Sequence, residues 1–308
     1  MHNAAVLALP WLDRAIDRCA MWGEDRVPRA ATGYRACEPA PLACFAPLAP
    51  VAAPPAPRAG AWALAGPGGP ADPIRVLVEP AAGERRGTAV LVPPWKIRSA
   101  GVVSGWSRAL AAAGREVWLH VPPHHLERSR GARSGEGFVS TDLRALRASV
   151  EQVVTEIRIL VAAARARDPG PIAVVGLSLG ALAAALAATA PDAAPEAVLV
   201  APPAIDVALA RTPIGARYRD LAARAGAPLP APEALAPLLA PFSPATRRPR
   251  ARRVLLAAGR HDAIVPPEAP LALARAWGVE PLLYPRGHLT LLFACRALRR
   301  DVARFLRG

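Results

Sequence analysis

Aromatic residues and lysine are scarce in this sequence, and their scarcity argues against a protein that binds nucleic acid. Phe, Trp and Tyr together make up 5% of the 308 residues, and Lys96 is the single lysine among 38 basic residues. Surfaces that bind single strands interleave basic with aromatic side chains, and no segment of this chain does so. We therefore expect no nucleic-acid partner despite the net charge of +14. The excess of arginine, alanine, proline and glycine is what a GC-rich coding sequence produces.

Cysteine is also sparse, and its spacing excludes a structural zinc site. The sequence has no C-x-x-C pair and no histidines close to its four cysteines. We therefore predict no bound metal and no cofactor. Cys37 and Cys44 would form a disulfide only in an oxidising compartment. The four cysteines are Cys19, Cys37, Cys44 and Cys295.

Long apolar runs are missing as well, which argues against export and against a membrane span. No stretch reaches the ~20 strongly apolar residues that cross a bilayer, so we predict no transmembrane segment. The short apolar run 4–12 has no basic residues before it and is followed by Asp13, Arg14 and Asp17 instead of a small-residue cleavage site. We therefore expect a cytoplasmic protein.

From about residue 74 onward, short apolar runs alternate with longer helical patterns. This alternation predicts an α/β fold with a doubly wound, mostly parallel sheet. The clearest helix is predicted from Thr141 to Ala164, where apolar residues recur every three or four positions, and a last amphipathic helix follows Leu291. The predicted strands are Ile74–Val78, Thr88–Val92, Glu116–Val121, Ile172–Leu177, Ala197–Val200, Arg253–Ala257 and Val279–Tyr284.

Two proline-rich stretches do not share this alternation. We divide the chain into residues 1–73, with a first helix over roughly 4–21 and a Pro/Ala-rich N-terminal arm, and residues 74–308, the α/β domain. Residues 202–250 interrupt the domain between two strands, where we predict a lid; the alternative is a surface excursion with a couple of helices.

The strongest local signal for chemistry is the sequence G-L-S-L-G at residues 176–180. A buried strand enters this turn and an Ala-rich helix leaves it, so Ser178 is predicted to be a nucleophile on a tight strand-to-helix turn. The tight turn brings the residues two before and two after Ser178 close together, so neither can carry a bulky side chain. Gly176 and Gly180 meet this requirement. A serine hydroxyl is a weak nucleophile, so the hypothesis also requires a histidine base and a carboxylate that orients it.

Both partners follow later strands at the same edge of the predicted sheet. Asp262 comes after the strand that starts at Arg253, and His288 comes after the next strand, just before the last helix. The order Ser178, Asp262, His288 is typical of a nucleophile on such a turn. Two alternatives stay open: His261 as the base, beside the predicted acid, and Asp206 as the acid.

Together these segments resemble the α/β-hydrolase superfamily over about residues 74–306. G-L-S-L-G is similar to its nucleophile elbow, G-R-H-D-A-I-V-P to the segment that carries the acid, and R-G-H to the one that carries the base. The resemblance implies the α/β-hydrolase fold and covalent serine hydrolysis, most often of carboxylic esters, with Asp262 and His288 in the triad and a lid over residues 202–250. Thioesters or amides would use the same residues.

The predicted oxyanion hole departs from the family pattern. One donor is expected to be the backbone N–H of Leu179, and the other usually comes from a loop opened by His-Gly. Here that loop reads V-P-P-W-K, and prolines have no N–H to donate. We assign the second donor to Trp95, with Lys96 as the alternative.

The loops after another strand offer candidate substrate contacts. His124 and His125 are predicted to face the same edge of the sheet and to line a pocket for a small-molecule acyl substrate, whereas His120 is predicted to be a core residue. The Arg-rich loop 127–137 is predicted to be solvated, with a clamp for anionic substrates as the alternative. The sequence does not indicate the oligomeric state. A second function class, suggested by the Pro-Pro loop, is a catalytically silent relative that serves as a binding or scaffold protein.

Overall fold

A single eight-stranded sheet organises the chain, with the strand order β1-β2-β4-β3-β5-β6-β7-β8. The computed structural model describes residues 10–22, 34–54, 60–204, 213–224, 226 and 228–308. The strands are β1 Gly60–Leu64, β2 Ile74–Glu79, β3 Gly87–Val92, β4 Arg115–Val121, β5 Ile172–Leu177, β6 Glu196–Val200, β7 Arg253–Gly259 and β8 Leu282–Tyr284.

The strands from β3 to β8 all run parallel, and β2 runs antiparallel to both of its neighbours. The predicted mostly parallel sheet is therefore confirmed. Strand β1 was not predicted, and it lies in the segment that we had assigned to the N-terminal arm. Its Ala-rich sequence between Gly and Pro residues has low strand propensity, and it is fixed as an edge strand by its ladder with β2 and by the edge-on contact of Trp62 with Trp118.

Helices cover both faces of the sheet, as a doubly wound fold requires. Strand β3 alternates between the two cores, because Val90 and Val92 belong to one apolar cluster and Ala89 and Leu91 to the other. The first cluster is completed by α3 and α4, and the second by α2 and α8. The helices in the described residues are α1 Pro10–Trp22, α2 Ser104–Ala112, α3 Leu143–Arg167, α4 Leu179–Ala188, α5 Pro213–Arg224, α6 Pro232–Leu239, α7 Glu268–Trp277 and α8 Arg296–Arg307.

Two predicted boundaries were wrong near the C-terminal end of the fold. The last strand begins at Leu282 and not at Val279, because Gly278 ends α7 at a φ of 66° and the Val279 N–H still donates to the carbonyl of Ala274. The last helix is not continuous: a π-helical turn over residues 290–294 ends at Cys295 before α8 begins. No helix in the described part of the chain is long and apolar enough to cross a membrane.

Residues 34–46 lie along α3 and are held there by three of its arginines, of which Arg144 donates to the carbonyl group of Ala36. Arg147 donates to the carbonyl groups of Glu38, Ala40 and Pro41, and Arg158 donates to those of residues 44 and 46. The backbone of this segment thus obtains hydrogen-bond partners without joining the sheet. All four cysteines are free thiols.

A buried ionic network joins β4 to α3 beneath the carboxyl edge of the sheet. Glu156 accepts two hydrogen bonds from the guanidinium of Arg128, each 2.8 Å, and lies 2.6 Å from the ring of His120. Arg128 also donates to Asp72. Burial would raise the pKa of Glu156, but Arg128 and His120 hold it below the ordinary value. Both interpretations of the Arg-rich loop are therefore wrong for Arg128, which is neither solvated nor available to a substrate.

Breaking this network should strongly destabilise the protein. Glu156→Gln removes one of the two carboxylates that pair with the buried Arg128 guanidinium and leaves only that of Asp72. We therefore expect the free energy of unfolding, measured by urea denaturation, to fall by about 3–5 kcal/mol. Asp220→Asn, which breaks the exposed Asp220–Arg224 pair, is the control and should cost no more than about 1 kcal/mol. Equal losses from the two substitutions would contradict this assignment.

Candidate active site

The candidate nucleophile sits in a backbone conformation that few residues adopt. Ser178 lies between β5 and α4 with a φ of 53° and a ψ of −118°. A Cβ on Gly176 would lie 2.4 Å from the carbonyl oxygen of Gly180, and a Cβ on Gly180 would lie 2.3 Å from that of Val92. Glycine is therefore required at both positions, and the strain is of the kind that concentrates at functional sites.

Hydrogen bonds fix this turn on both sides. The N–H of Ser178 donates to the carbonyl of Val200 on β6 over 2.8 Å, and the Ser178 carbonyl accepts from Ala181 and Leu182 in the first turn of α4. Leu179 is the first residue of α4, where N–H groups have no acceptor within the helix and the helix dipole is positive. The turn thus aims a hydroxyl and a positive helix end at the carboxyl edge of the sheet.

The loops after β7 and β8 bring Asp262 and His288 to the same point. His288 Nδ1 lies 2.7 Å from Asp262 Oδ2, and His288 Nε2 lies 2.9 Å from Ser178 Oγ. The second oxygen of Asp262 accepts from the N–H groups of Ile264 and Val265, which fixes the carboxylate. All three side chains are buried, with Ser178 9%, Asp262 5% and His288 4% exposed.

The surroundings of His288 determine which ring nitrogen carries the proton. An ionised carboxylate only accepts, so Nδ1 donates to Asp262 and Nε2 is left to accept from the hydroxyl of Ser178. Burial alone would lower the pKa of His288, but the charge and hydrogen bond of Asp262, together with the charge of Asp17, raise it above the ordinary value. This geometry suits a histidine that accepts a proton from Ser178 and holds it as an imidazolium.

The structure does not join the alternative base, His261, to this site. His261 is held by its backbone N–H, which donates to the carbonyl of Arg286, while the imidazole of His288 contacts both Asp262 and Ser178. Asp206 lies outside the described residues. Among the residues described, no group of three or more His, Cys, Asp and Glu side chains could hold a metal ion.

The predicted oxyanion loop packs against the nucleophile turn and is supported by the segment after β4. The indole Nε1 of Trp95 donates to the carbonyl of Gly135 over 2.8 Å, and the N–H of Lys96 donates to His125 Nε2 over 3.2 Å. Lys96 has a φ of 60°, and a Cβ on Gly135 would lie 2.9 Å from the Lys96 nitrogen. The N–H of Lys96 is therefore directed at His125, which disfavours Lys96 as the second donor, and the assignment to Trp95 stays a prediction.

The prediction that His125 contacts substrate was wrong, because its ring lies beneath the loop. The side chain is 1% exposed, and its Nδ1 lies 2.8 Å from the carbonyl of Pro123 while Nε2 accepts from Lys96. Burial lowers the pKa of His125 to about 4, against a smaller opposing effect of the Pro123 hydrogen bond. His124 is exposed with a φ of 64°, and its contact with substrate stays a prediction. His120 is a core residue, as predicted.

Sequence reasoning missed one residue beside the site. Asp17 on α1 is fully buried and accepts hydrogen bonds from the backbone of the loops that carry Asp262 and His288. We had assigned no role to this part of the chain. The available signal was the pair Asp13 and Asp17, four residues apart and therefore on one face of the helix.

Part of the chain is similar in sequence to a known protein family. A family model described as "Serine hydrolase" matches residues 142–291, a span that contains Ser178, Asp262 and His288 but not the predicted oxyanion loop. No curated protein is detectably similar in sequence.

Solved structures with the same fold are distant in sequence. TT1662 from Thermus thermophilus matches with 19% identity and a TM-score of 0.56, over 82% of this chain and 99% of its own. A lipase in its open form matches with 15% identity and a TM-score of 0.54, over 80% and 98%. The Pyrococcus horikoshii acylaminoacyl peptidase matches with 15% identity and a TM-score of 0.52, over 75% of this chain and 38% of its own. These likenesses show the fold alone.

The buried position of His125 predicts an unusual titration. Its folded-state pKa of about 4 lies below the ordinary 6.5, so the unfolded chain binds the proton more readily between these values and this residue's contribution to stability rises with pH across that window. We expect long-range ¹H–¹⁵N NMR spectra to show a neutral ring protonated at Nδ1 at pH 6. Protonation of His125 with a midpoint near 6.5 would contradict its role as an acceptor for Lys96.

Proposed function

We propose that the chain is a member of the α/β-hydrolase superfamily and, because a histidine joins its elbow serine to an aspartate, that it is a serine hydrolase that cleaves carboxylic esters through an acyl-enzyme on Ser178. The proposal is carried by the two hydrogen bonds of His288, 2.7 Å to Asp262 and 2.9 Å to Ser178. A buried imidazole that uses both ring nitrogens in this way is poised to take a proton from one neighbour while the other stabilises the resulting charge.

In the proposed reaction, Ser178 Oγ attacks the acyl carbon and its proton passes to His288 Nε2. His288 then returns that proton to the leaving alkoxide, so the first product departs as an alcohol and the acyl group stays on Ser178. A water molecule then attacks the acyl-enzyme and gives its proton to His288, which returns that proton to Ser178 Oγ as the bond to the acyl carbon breaks and the carboxylic acid is released. Throughout, Asp262 orients the ring and stabilises the imidazolium.

The negative charge that develops on the carbonyl oxygen needs two donors. We assign these to the backbone N–H groups of Leu179, at the positive end of α4, and of Trp95. The support for Trp95 is its place in a loop whose backbone packs against Gly180 and whose neighbouring N–H, that of Lys96, donates to His125. Pro93 and Pro94 contribute no N–H but restrict the loop.

The proposed substrate is a small acyl compound met in the cytoplasm. Esters are preferred because an alkoxide is a better leaving group than an amide nitrogen, so acylation of Ser178 by an ester needs less activation. Related folds include a lipase and an acylaminoacyl peptidase, so thioesters and amides are the other substrates to include in a screen. His124, exposed beside the predicted oxyanion loop, is the candidate contact for the alcohol or acyl portion.

We further propose that the insertion between β6 and β7 contributes a lid. Its second half is not free to move: Leu235, Leu239 and Phe242 are buried in the core, and the indole of Trp277 donates to the carbonyl groups of Pro244 and Arg247. The proposed lid is therefore confined to the part that precedes α6 and includes α5. We also propose that residues 10–22 and 34–54 act as the N-terminal arm, whereas residues 60–64 form strand β1 of the sheet.

A fluorophosphonate probe tests the proposed function directly, since it reacts only with an activated serine. We expect stoichiometric labelling of Ser178 in the wild type, no labelling of Ser178→Ala, and a loss of about 10⁴-fold or more in kcat/KM for esters in His288→Ala. His261→Ala is the matched control and should label at the wild-type rate.

The same measurement distinguishes the proposed hydrolase from a catalytically silent binding or scaffold protein. A folded wild type that neither reacts with the probe nor hydrolyses any member of a panel of p-nitrophenyl esters, thioesters and anilides would overturn the proposal. Equal losses in His261→Ala and His288→Ala would contradict the assignment of the base.

The assignment of Trp95 is tested by removing its N–H. Trp95→Pro eliminates the donor, and we expect kcat to fall by about 10²–10³-fold with little change in KM, because the lost interaction belongs to the transition state. Trp95→Phe is the control, since it loses the indole bond to Gly135 but keeps the backbone N–H, and it should lose far less. Similar kcat values for the two folded variants would exclude Trp95 as a donor.

A further inference from the structure

Helix α1 presents two buried carboxylates to the loops of the candidate active site. Asp13 and Asp17 are 5% and 0% exposed, although the flanking Trp11 and Leu12 are exposed on the same helix. A helix that turns its carboxylates inward and a tryptophan outward reverses the usual pattern of burial. The contacts of Asp17 account for its burial, whereas Asp13 is bonded through Oδ1 and its Oδ2 is buried without a hydrogen-bond partner among the described residues.

Asp17 binds both of the loops that carry the proposed acid and base. Its Oδ2 accepts from the N–H of His288 over 2.8 Å and from the N–H of Ala263 over 3.1 Å, and its Oδ1 accepts from the N–H of Leu289 over 3.1 Å. Ala263 directly follows Asp262. The carboxylate of Asp17 therefore joins the backbone next to Asp262 to the backbone of His288. Hydrogen bonds to a charged acceptor are stronger than those between neutral groups.

Asp13 strengthens the same attachment one helical turn away. Its Oδ1 accepts from the hydroxyl of Thr290 over 2.5 Å, and that hydroxyl in turn accepts from the N–H of Gly287. A Cβ on Gly287 would lie 2.8 Å from Asp17 Oδ2 and 3.0 Å from the Asp13 carbonyl oxygen. The close approach of α1 thus requires glycine directly before the proposed base.

The contacts also place a second negative charge near the imidazole. The carboxylates that face His288 are Asp262, from the loop after β7, and Asp17, from α1, with Asp13 one turn further along. Among the described residues, the other hydrogen-bond partner of the ring is the neutral hydroxyl of Ser178. When His288 becomes an imidazolium during the proposed reaction, both facing carboxylates stabilise it.

We propose that Asp17 is a positioning residue that locks the acid and base loops into one geometry and stabilises the imidazolium of His288, so that docked α1 is a required part of the active site. This inference rests on the proposed function of Ser178, Asp262 and His288. Asp17 acts through the two loops and has no contact with substrate in this assignment.

The test compares Asp17→Asn and Asp17→Ala in the full chain, with Arg14→Gln on the exposed face of α1 as the control. We expect kcat on the ester substrate to fall about 10- to 100-fold in Asp17→Ala and less in Asp17→Asn, which keeps one acceptor, with KM changed little. In both variants the acid limb of the kcat/KM profile should move to lower pH, because His288 loses a charge that favours its protonated form. Arg14→Gln should match the wild type.

Each outcome separates this inference from the proposed function. A wild type that does not react with a fluorophosphonate overturns both. If the wild type reacts but the Asp17 variants keep its kcat, this inference alone is overturned. The same holds if the variants lose activity while the acid limb of the kcat/KM profile stays in place, because a merely structural role would not shift that limb. If Asp17→Ala does not fold, two other variants serve in its place. Asp17→Asn is nearly isosteric, and Gly287→Ala adds a methyl group that pushes α1 away from the loop.

Discussion

The site depends on one buried imidazole whose two nitrogens are both engaged. His288 has no freedom to rotate, because Asp262 fixes one side of the ring, the hydroxyl of Ser178 the other, and Asp17 its backbone. Burial in a low-dielectric site strengthens each of these interactions but makes an unpaired charge costly. The carboxylates of Asp262 and Asp17, both bonded to His288, offset that cost. The sheet and its loops bring these groups to one edge.

The sheet could be predicted because its strands are locally unambiguous. The runs that form β3 and β5 are apolar on both faces, and the turn at Ser178 is defined by two glycines that admit no other residue. The positions of Asp262 and His288 followed from the rule that parallel strands deliver their loops to a common edge. For this reason the sequence indicated which side chains would meet.

What the sequence did not indicate depends on contacts between distant segments. Strand β1 has weak local propensity and exists through its ladder with β2. His125 was misinterpreted because nothing local distinguishes a ring that supports a loop from a ring that lines a pocket; its partner Lys96 is 29 residues away. Asp17 lies 271 residues from His288, and only the fold reveals that its carboxylate is an internal acceptor.

The distance in sequence between α1 and the loop after β8 has a consequence for how the protein acquires its reactivity. Contacts of such long range form only after the intervening chain has been ordered, since closing a large loop must be compensated by the structure that it completes. The two inward carboxylates of α1 can make these hydrogen bonds only when the loops after β7 and β8 are in place. In a partly folded chain, Ser178 would have no positioned histidine to accept its proton. The proposed activity would therefore appear only when these last long-range contacts have formed.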